Sequence, residues 1–281
     1  MPLKTILVHV NHPGIASEQI RIATALARRF DAHLIGAAAT GLSQEVYFPD
    51  SVGASAPVLM ESLHALETEA TTRLAVFAGC AEAGGVASVE QRLIRDEAAA
   101  GISLGARYAD LVVIGQIDPA VFAPFLRPDF PQRVVIDSGR PVLIVPYAGH
   151  FAEVGRRVLL AWDGSREAAR AATSGIALMQ QAQLVQVVVF DSAGPIAAHG
   201  EEPGADMALY LARHGIRVEV AHQRVVAGTD TGNALLSHAA DFGADLIIMG
   251  GYGHSRFREI FLGGVTQTIL TSMTVPVLMS H

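Results

Sequence analysis

The chain repeats one strand motif at a fixed separation, and this repeat constrains its fold more than any other feature. The segment Ala109–Gly115 (ADLVVIG) returns as Ala244–Gly250 (ADLIIMG), a separation of 250 − 115 = 135 residues. Pro141–Leu143 and Pro276–Leu278 keep the same separation, since 276 − 141 = 135. A repeat of this length indicates two copies of one domain.

The opening strands of the two copies lie further apart than these motifs. Ile6–Asn11 corresponds to Val158–Asp163 at a separation of 163 − 11 = 152 residues, so the first copy is longer by 152 − 135 = 17 residues. We place the insertion in Gly41–Pro57, which is rich in Gly, Ser and Pro. The predicted domains are residues 1–150 and 151–281, both of ordinary domain size.

Hydrophobic patterning divides each copy into alternating strands and helices. Near-continuous apolar runs such as Leu184–Val189 indicate strands buried on both faces, as in a parallel sheet. In the second copy, strands are predicted over Val158–Trp162, Leu184–Phe190, Val218–Val226, Asp245–Met249 and Val275–Met279, and helices near Arg166–Met179, Ala205–Arg213, Ala234–Phe242 and Val265–Thr271. In the first copy, strands are predicted over Thr5–Val10, His33–Ala39, Ser88–Ile94, Leu111–Ile114 and Val142–Val145.

This order of elements predicts an α/β fold with two Rossmann-like doubly wound domains. Each domain would be a five-stranded parallel sheet of order 3-2-1-4-5, flanked by helices. Strands 1 and 4 are then neighbours where the winding reverses, and ligands bind beyond their carboxyl ends. The short fifth strands are sheet edges, so we expect the two domains to pair within the chain through them. We leave open whether two copies of the chain also form a homodimer.

Composition excludes several classes of function. A net charge of −7 argues against a nucleic-acid-binding surface. No apolar run reaches the roughly 18 residues that a membrane span needs, and we expect a cytoplasmic protein. Lys4 is the only lysine, which excludes a lysine-containing phosphate loop. The sequence also lacks the spacing of a metal site and the motifs of a nucleophilic enzyme, so no metal ligand and no catalytic residue is predicted.

A glycine pattern follows the second copy of the strand motif. Gly250, Gly253, Gly263 and Gly264 have the spacing G-x2-G-x9-G-G. Glycines let backbone N–H groups turn toward an anion and approach it closely, and the start of the next helix adds further donors. The turn at Asp163, after the first strand of this copy, would face the same crevice. The pattern therefore favours a phosphate-binding loop.

With these motifs the chain resembles a tandem universal stress protein, a family whose nucleotide-binding members carry G-x2-G-x9-G-[ST] after strand 4 and an aspartate at the end of strand 1. The resemblance implies a stress-response sensor or regulator that binds ATP or AMP, with or without Mg²⁺, in its C-terminal domain. It implies that Asp163 lies near adenine or ribose and that Val189 contacts adenine through its backbone. The implied binding residues are Ala161, Asp163, Val189, Gly250, Gly253, His254, Gly263, Gly264, Val265 and Thr266.

One position of this site departs from the family pattern. Gly264 stands where nucleotide-binding relatives usually have Ser or Thr, so a hydroxyl donor is missing. A hydrogen bond to a charged group contributes about 1.5–3 kcal/mol, so we expect weaker binding rather than none. Thr266 could partly replace the missing donor.

The first domain departs from the pattern throughout, and we interpret it as a degenerate copy. Asn11 stands where the second domain has Asp163. The residues that correspond to the later glycines and the helix start are Asp118, Pro128, Asp129 and Pro131. Carboxylates repel phosphate oxygens, and prolines remove N–H donors.

Two other functions remain open at this point. A nucleotide-free structural or partner-binding scaffold is favoured by Gly264 and by the degenerate first domain. Slow ATP hydrolysis would need a general base, and the sequence identifies none.

Overall fold

The computed structural model describes residues 3–11, 18–43, 56–121, 126–191, 204–224, 230–252 and 264–281. The chain divides into two compact units, Pro2–Val142 and Leu143–His281. Within the described ranges, no helix combines the length and the hydropathy that a bilayer crossing requires.

The first unit is a parallel sheet with helices in its crossover connections. Its strands are β1 (Thr5–His9), β2 (His33–Ala39), β3 (Val89–Ile94) and β4 (Leu111–Gly115), and its helices are α1 (Glu18–Phe30), α2 (Ala56–Ala83), α3 (Ala98–Ala106) and α4 (Phe130–Asp137). The strands pair in parallel in the order β3-β2-β1-β4. The next strand, β5 (Val142–Val145), begins at the last residue of this unit. Strand β4 is buried along its whole length, as its continuous apolar sequence predicts.

The second unit has the same design. Its strands are β6 (Arg157–Ala161), β7 (Leu184–Asp191), β8 (Val218–Arg224), β9 (Leu246–Gly250) and β10 (Val277–Ser280), and its helices are α5 (Arg166–Met179), α6 (Ala205–Arg213), α7 (Thr231–Phe242) and α8 (Gly264–Ser272). The strands pair in parallel in the order β8-β7-β6-β9-β10. This is the predicted order 3-2-1-4-5. The α/β fold with parallel sheets flanked by helices is therefore confirmed.

Some element boundaries differ from the prediction. Strand β9 begins at Leu246 rather than Asp245, at a strand entrance where the Asp245 carboxylate accepts the backbone N–H of Gly155 at 2.8 Å. Helix α7 begins at Thr231 rather than Ala234, because the carboxylate of Asp230 caps it. Of the predicted strand Val218–Val226, the last two residues lie outside the described ranges.

Each unit has, within itself, an equivalent hydrogen bond just after its first strand. After the first strand, Val10 donates its N–H to the Ala37 carbonyl at 2.8 Å in the first unit, and Trp162 donates to Val188 at 2.9 Å in the second. When these two hydrogen bonds are matched, Asn11 corresponds to Asp163, because each follows the donor residue. Ala38 corresponds to Val189, because each follows the acceptor residue.

Candidate functional site

The candidate site lies at the carboxyl edge of the second unit, where β6 and β9 end side by side. The two strands are parallel and pair Leu160 with Ile248. Ala161 and Gly250, the last residues of these strands, therefore reach the same edge of the sheet, and both are half-buried. In a doubly wound sheet this is the place where a ligand binds.

A tight turn connects β6 to α5. The Asp163 carboxylate accepts the N–H of Ser165 at 2.9 Å, and Gly164 has φ of 69°, a conformation that favours glycine. The Ser165 hydroxyl then caps α5 by accepting the N–H of Ala168 at 3.1 Å. Ser165 is therefore the cap of α5, and Asp163 is exposed at the edge.

Gly250 packs against the first turn of α5. A Cβ placed on Gly250 would lie 2.5 Å from the backbone N of Ala168 and 2.7 Å from the carbonyl carbon of Glu167. A side chain at this position would therefore collide with backbone atoms. Our sequence analysis interpreted this glycine as a point of ligand approach, and the structure gives it a packing role at the same edge.

Glu167 is a residue of this edge that the sequence analysis missed. It is buried, with 6% of its surface exposed, and its Cβ faces Gly250. A carboxylate in the first turn of a helix is stabilised by the positive end of the helix dipole. With Asp163 close by in sequence, this side of the edge is acidic, which suits the hydroxyl and amino donors of a nucleoside better than phosphate. The signal available in the sequence was an acidic residue two positions after the cap.

The start of α8 attracts anions, in contrast to the acidic side of the edge. Gly264, Val265 and Thr266 form its first turn, where backbone N–H groups have no partner within the helix and attract anions. Because α8 follows β9 and leads to the parallel strand β10, it starts on the carboxyl side of the sheet. A Cβ placed on Gly264 would meet no atom within 4 Å, among the residues that the structure describes.

The other expected binding residues differ in how directly they can be placed. Thr266 is buried, with 4% of its surface exposed. Val189 is also buried and lies near the end of β7, beside His222 of β8. Gly253, His254 and Gly263 lie outside the described residues.

Tyr252, directly before that stretch, was also missed by the sequence analysis. Its φ of 65° is unusual for a residue with a bulky side chain and indicates local strain. Its hydroxyl is buried and has no hydrogen-bond partner in the part of the chain that the structure describes, and burial raises the pKa of the phenol. Its ring meets the ring of His281 edge-on at 6.3 Å. Strained backbone often occurs at ligand-binding loops.

The corresponding region of the first unit is built differently. Asp118 accepts the N–H of Ala120, and Asp129, directly before α4, accepts a hydrogen bond from the Arg127 guanidinium at 2.9 Å. That hydrogen bond holds the pKa of Asp129 below its ordinary value, so the carboxylate stays charged. Pro131 in the first turn of α4 has no N–H to donate. A carboxylate paired with Arg127 therefore stands where the second unit offers N–H donors.

No group of three or more His, Cys, Asp or Glu side chains that could hold a metal ion occurs in the ranges given above.

Comparison with known proteins finds a family match in the second half of the chain. Residues 155–281 match the model of the Universal stress protein family. The matched residues include β6, the Asp163 turn, β9 and α8. A universal stress protein of Synechocystis sp. is 26% identical over 174 residues, which cover 60% of this chain and 57% of that protein. The match spans less than two thirds of that relative.

Two solved structures share the fold over nearly the whole chain. A universal stress protein from Archaeoglobus fulgidus has a TM-score of 0.74 at 16% identity and covers 98% of this chain and 95% of its own. A functionally unknown protein from Pseudomonas aeruginosa has a TM-score of 0.61 at 14% identity and covers 99% of this chain and 92% of its own. At these identities the likeness shows the fold alone.

Proposed function

We propose that the universal stress protein domain binds one adenine nucleotide, ATP or AMP, and that the chain acts as a nucleotide-responsive regulator in a stress response. The observation that carries this proposal is the pairing of two kinds of chemistry on one side of the sheet. The end of β6 is followed by the acidic residues Asp163 and Glu167, and the first turn of α8 supplies N–H donors that have no partner within the helix. A Cβ on Gly264 would meet no atom of the described residues within 4 Å. A nucleoside and its phosphates need these two environments.

Each part of the nucleotide would have its own contacts. Asp163 would accept hydrogen bonds from the ribose or adenine beside Ala161, and the backbone at Val189 would bind the adenine edge. The phosphates would bind the first turn of α8 at Gly264, Val265 and Thr266. Gly253, His254 and Gly263, which are not among the described residues, would complete the phosphate contacts.

Mg²⁺ would enter this site with the phosphates, whose charge it neutralises when bound. The carboxylates at this edge are those of Asp163 and Glu167, on the side where we place the nucleoside. We assign them no step of a reaction, and we propose a sensor rather than an enzyme.

We propose that the first half is a second, degenerate domain of the same kind. The matched hydrogen bonds after β1 and β6 support a common design. The acidic Asp129 in front of α4 supports the loss of nucleotide binding there.

A nucleotide-free scaffold is the second candidate function. Gly250 favours it, because packing against α5 already requires a residue without a side chain at this position. This glycine is therefore not evidence for a ligand.

Native mass spectrometry of the purified chain tests the two candidates. Incubation with ATP or AMP should add the mass of one nucleotide per chain, and the same treatment with adenosine should give weaker occupancy. If neither nucleotide adds to the chain at micromolar concentration, the scaffold replaces the sensor.

A further inference from the structure

An arginine occupies the carboxyl edge of the first unit. The Arg73 guanidinium donates from Nη2 to the carbonyl of Ala39 at 3.1 Å and from Nη1 to the carbonyl of Asn11 at 3.3 Å. These carbonyls belong to the end of β2 and to the residue two positions after β1. A single planar group therefore bridges the ends of two neighbouring strands.

The same place in the second unit is where the proposed function puts the nucleoside. Asn11 corresponds to Asp163, and Ala39 follows Ala38, the counterpart of Val189. Arg73 thus lies between the positions whose counterparts would contact adenine and ribose. A guanidinium and an adenine are both flat groups with N–H donors on their edge.

Arg73 is brought there by a part of α2 that extends beyond the length of α6. Both helices end with the same hydrogen bond, from Val86 N to the Ala81 carbonyl and from Ile216 N to the Leu211 carbonyl, an offset of 216 − 86 = 130. At this offset the first residue of α6 corresponds to position 75 of α2. Arg73 lies before that position, on the extension.

Near Asn11, His9 and Gln19 are buried and Asn11 itself is half-buried, and Gln19 is hydrogen-bonded to both of the other residues. Gln19 donates from Nε2 to the His9 carbonyl at 3.0 Å and to the side-chain oxygen of Asn11 at 2.7 Å. The His9 ring packs on Phe130 with the ring centres 4.7 Å apart. Burial, and then the charge of Arg73, lower the pKa of His9, so the imidazole beside the guanidinium is neutral.

We propose that Arg73 is a built-in occupant of the first unit, which fills the place of a nucleoside and so excludes nucleotides from this half of the chain. The evidence that Arg73 occupies this place is its two hydrogen bonds to the strand-end carbonyls. Only the comparison with a nucleoside rests on the proposed function. The guanidinium is held at a cost, because its Nε is buried with no hydrogen-bond partner among the described residues and because burial lowers its pKa. Its removal would leave two strand-end carbonyls without these donors.

Chemical rescue tests this proposal without any nucleotide. Arg73→Ala should lower the melting temperature by several degrees, since it removes the Arg73 donors from two strand-end carbonyls. Methylguanidinium, added at millimolar concentration, should enter the vacated place and recover about half of that loss or more by mass action. Arg95→Ala is the matched control, because Arg95 bonds to Glu67 on the surface, with 57% of its side chain exposed.

The expected result is that methylguanidinium raises the melting temperature of Arg73→Ala and leaves wild type and Arg95→Ala unchanged or slightly lower. Equal effects on all three proteins, or no effect on Arg73→Ala, would overturn the proposal. If Arg73→Ala does not fold, Arg73→Lys and the refolding yield of Arg73→Ala with and without methylguanidinium replace the melting curves. A stability of Arg73→Lys equal to wild type, or a refolding yield that methylguanidinium leaves unchanged, would overturn it as well. Because nucleotide is absent throughout, this result is independent of whether the second half binds ATP.

Discussion

A Cβ on Gly250 would lie 2.5 Å from the backbone N of Ala168, so the end of β9 and the first turn of α5 are in direct backbone contact. This contact fixes the helix start against the strand at the edge where we place the nucleotide. The two glycines of this motif therefore have different roles. Gly250 is required for packing, and a Cβ on Gly264 would meet no atom of the described residues within 4 Å.

Gly250→Ala should therefore destabilise the protein. Overpacking that pushes backbone atoms apart costs about 1–3 kcal/mol, measurable as a lower urea midpoint with an unchanged slope. Gly264→Ala is the control, since its Cβ meets open space and alanine favours a helix by about 0.5–1 kcal/mol over glycine. Equal stabilities of the two variants would contradict the contact.

Gly264→Ser should restore the hydroxyl that the family pattern places beside the phosphates. We expect ATP to bind about tenfold more tightly, equivalent to about 1.4 kcal/mol, with little change for adenosine. Calorimetric titration of wild type, Gly264→Ser and Gly264→Ala with both ligands distinguishes a new phosphate contact from a general stiffening of the helix start. An equal gain for adenosine, or an equal gain in Gly264→Ala, would assign the effect to stiffening.

The stability of the first unit should depend on pH through His9. Burial lowers the pKa of His9 from 6.5 to about 3, so the unfolded chain takes up a proton at a pH where the folded chain does not. The stability contributed by neutral His9 is fully present above pH 6.5 and is lost as the pH falls toward 3. We expect a loss of about 2 kcal/mol between pH 7 and pH 5.

Urea unfolding of wild type and His9→Gln at both pH values measures this loss. The variant should be less stable at pH 7 but should lose less on going to pH 5. His222→Gln, at an exposed position of β8, should keep the wild-type pH dependence. A wild-type pH dependence in His9→Gln would show that other groups carry it.

The strands and helices could be predicted because their signals are local. The bounds of α5 and α6 follow directly from apolar periodicity, and the run Leu246–Gly250 identifies a strand buried along most of its length. Strand order followed from the connection rules of parallel sheets.

The site could be predicted only in part, because several of its residues act through contacts distant in sequence. Glu167 is buried by its packing against Gly250, 250 − 167 = 83 residues away, and the pattern around Glu167 alone indicates a solvent-exposed first turn. Arg73 reaches Asn11 from 73 − 11 = 62 residues away, and its helix carries no motif for that role. Such pairings become visible only when the sheet brings the elements together.

Asp163→Ala should weaken ATP binding by about tenfold or more, since it removes a carboxylate acceptor from the edge. Asp241→Ala is the matched control, because Asp241 is an exposed aspartate near the end of α7, on the amino side of the sheet. Isothermal titration of both variants checks the assignment. If Asp241→Ala loses as much affinity as Asp163→Ala, the loss reflects overall charge and not the site.

Isothermal titration of the full chain with ATP tests the central claim most directly, because it counts sites. The loop and helix start in the second unit, together with Asp129 and Arg73 in the first, predict about one ATP per chain, and Asp118→Ala should leave both the number and the affinity unchanged. Two equivalent sites per chain, or a single site whose affinity depends on Asp118 rather than Asp163, would contradict the account.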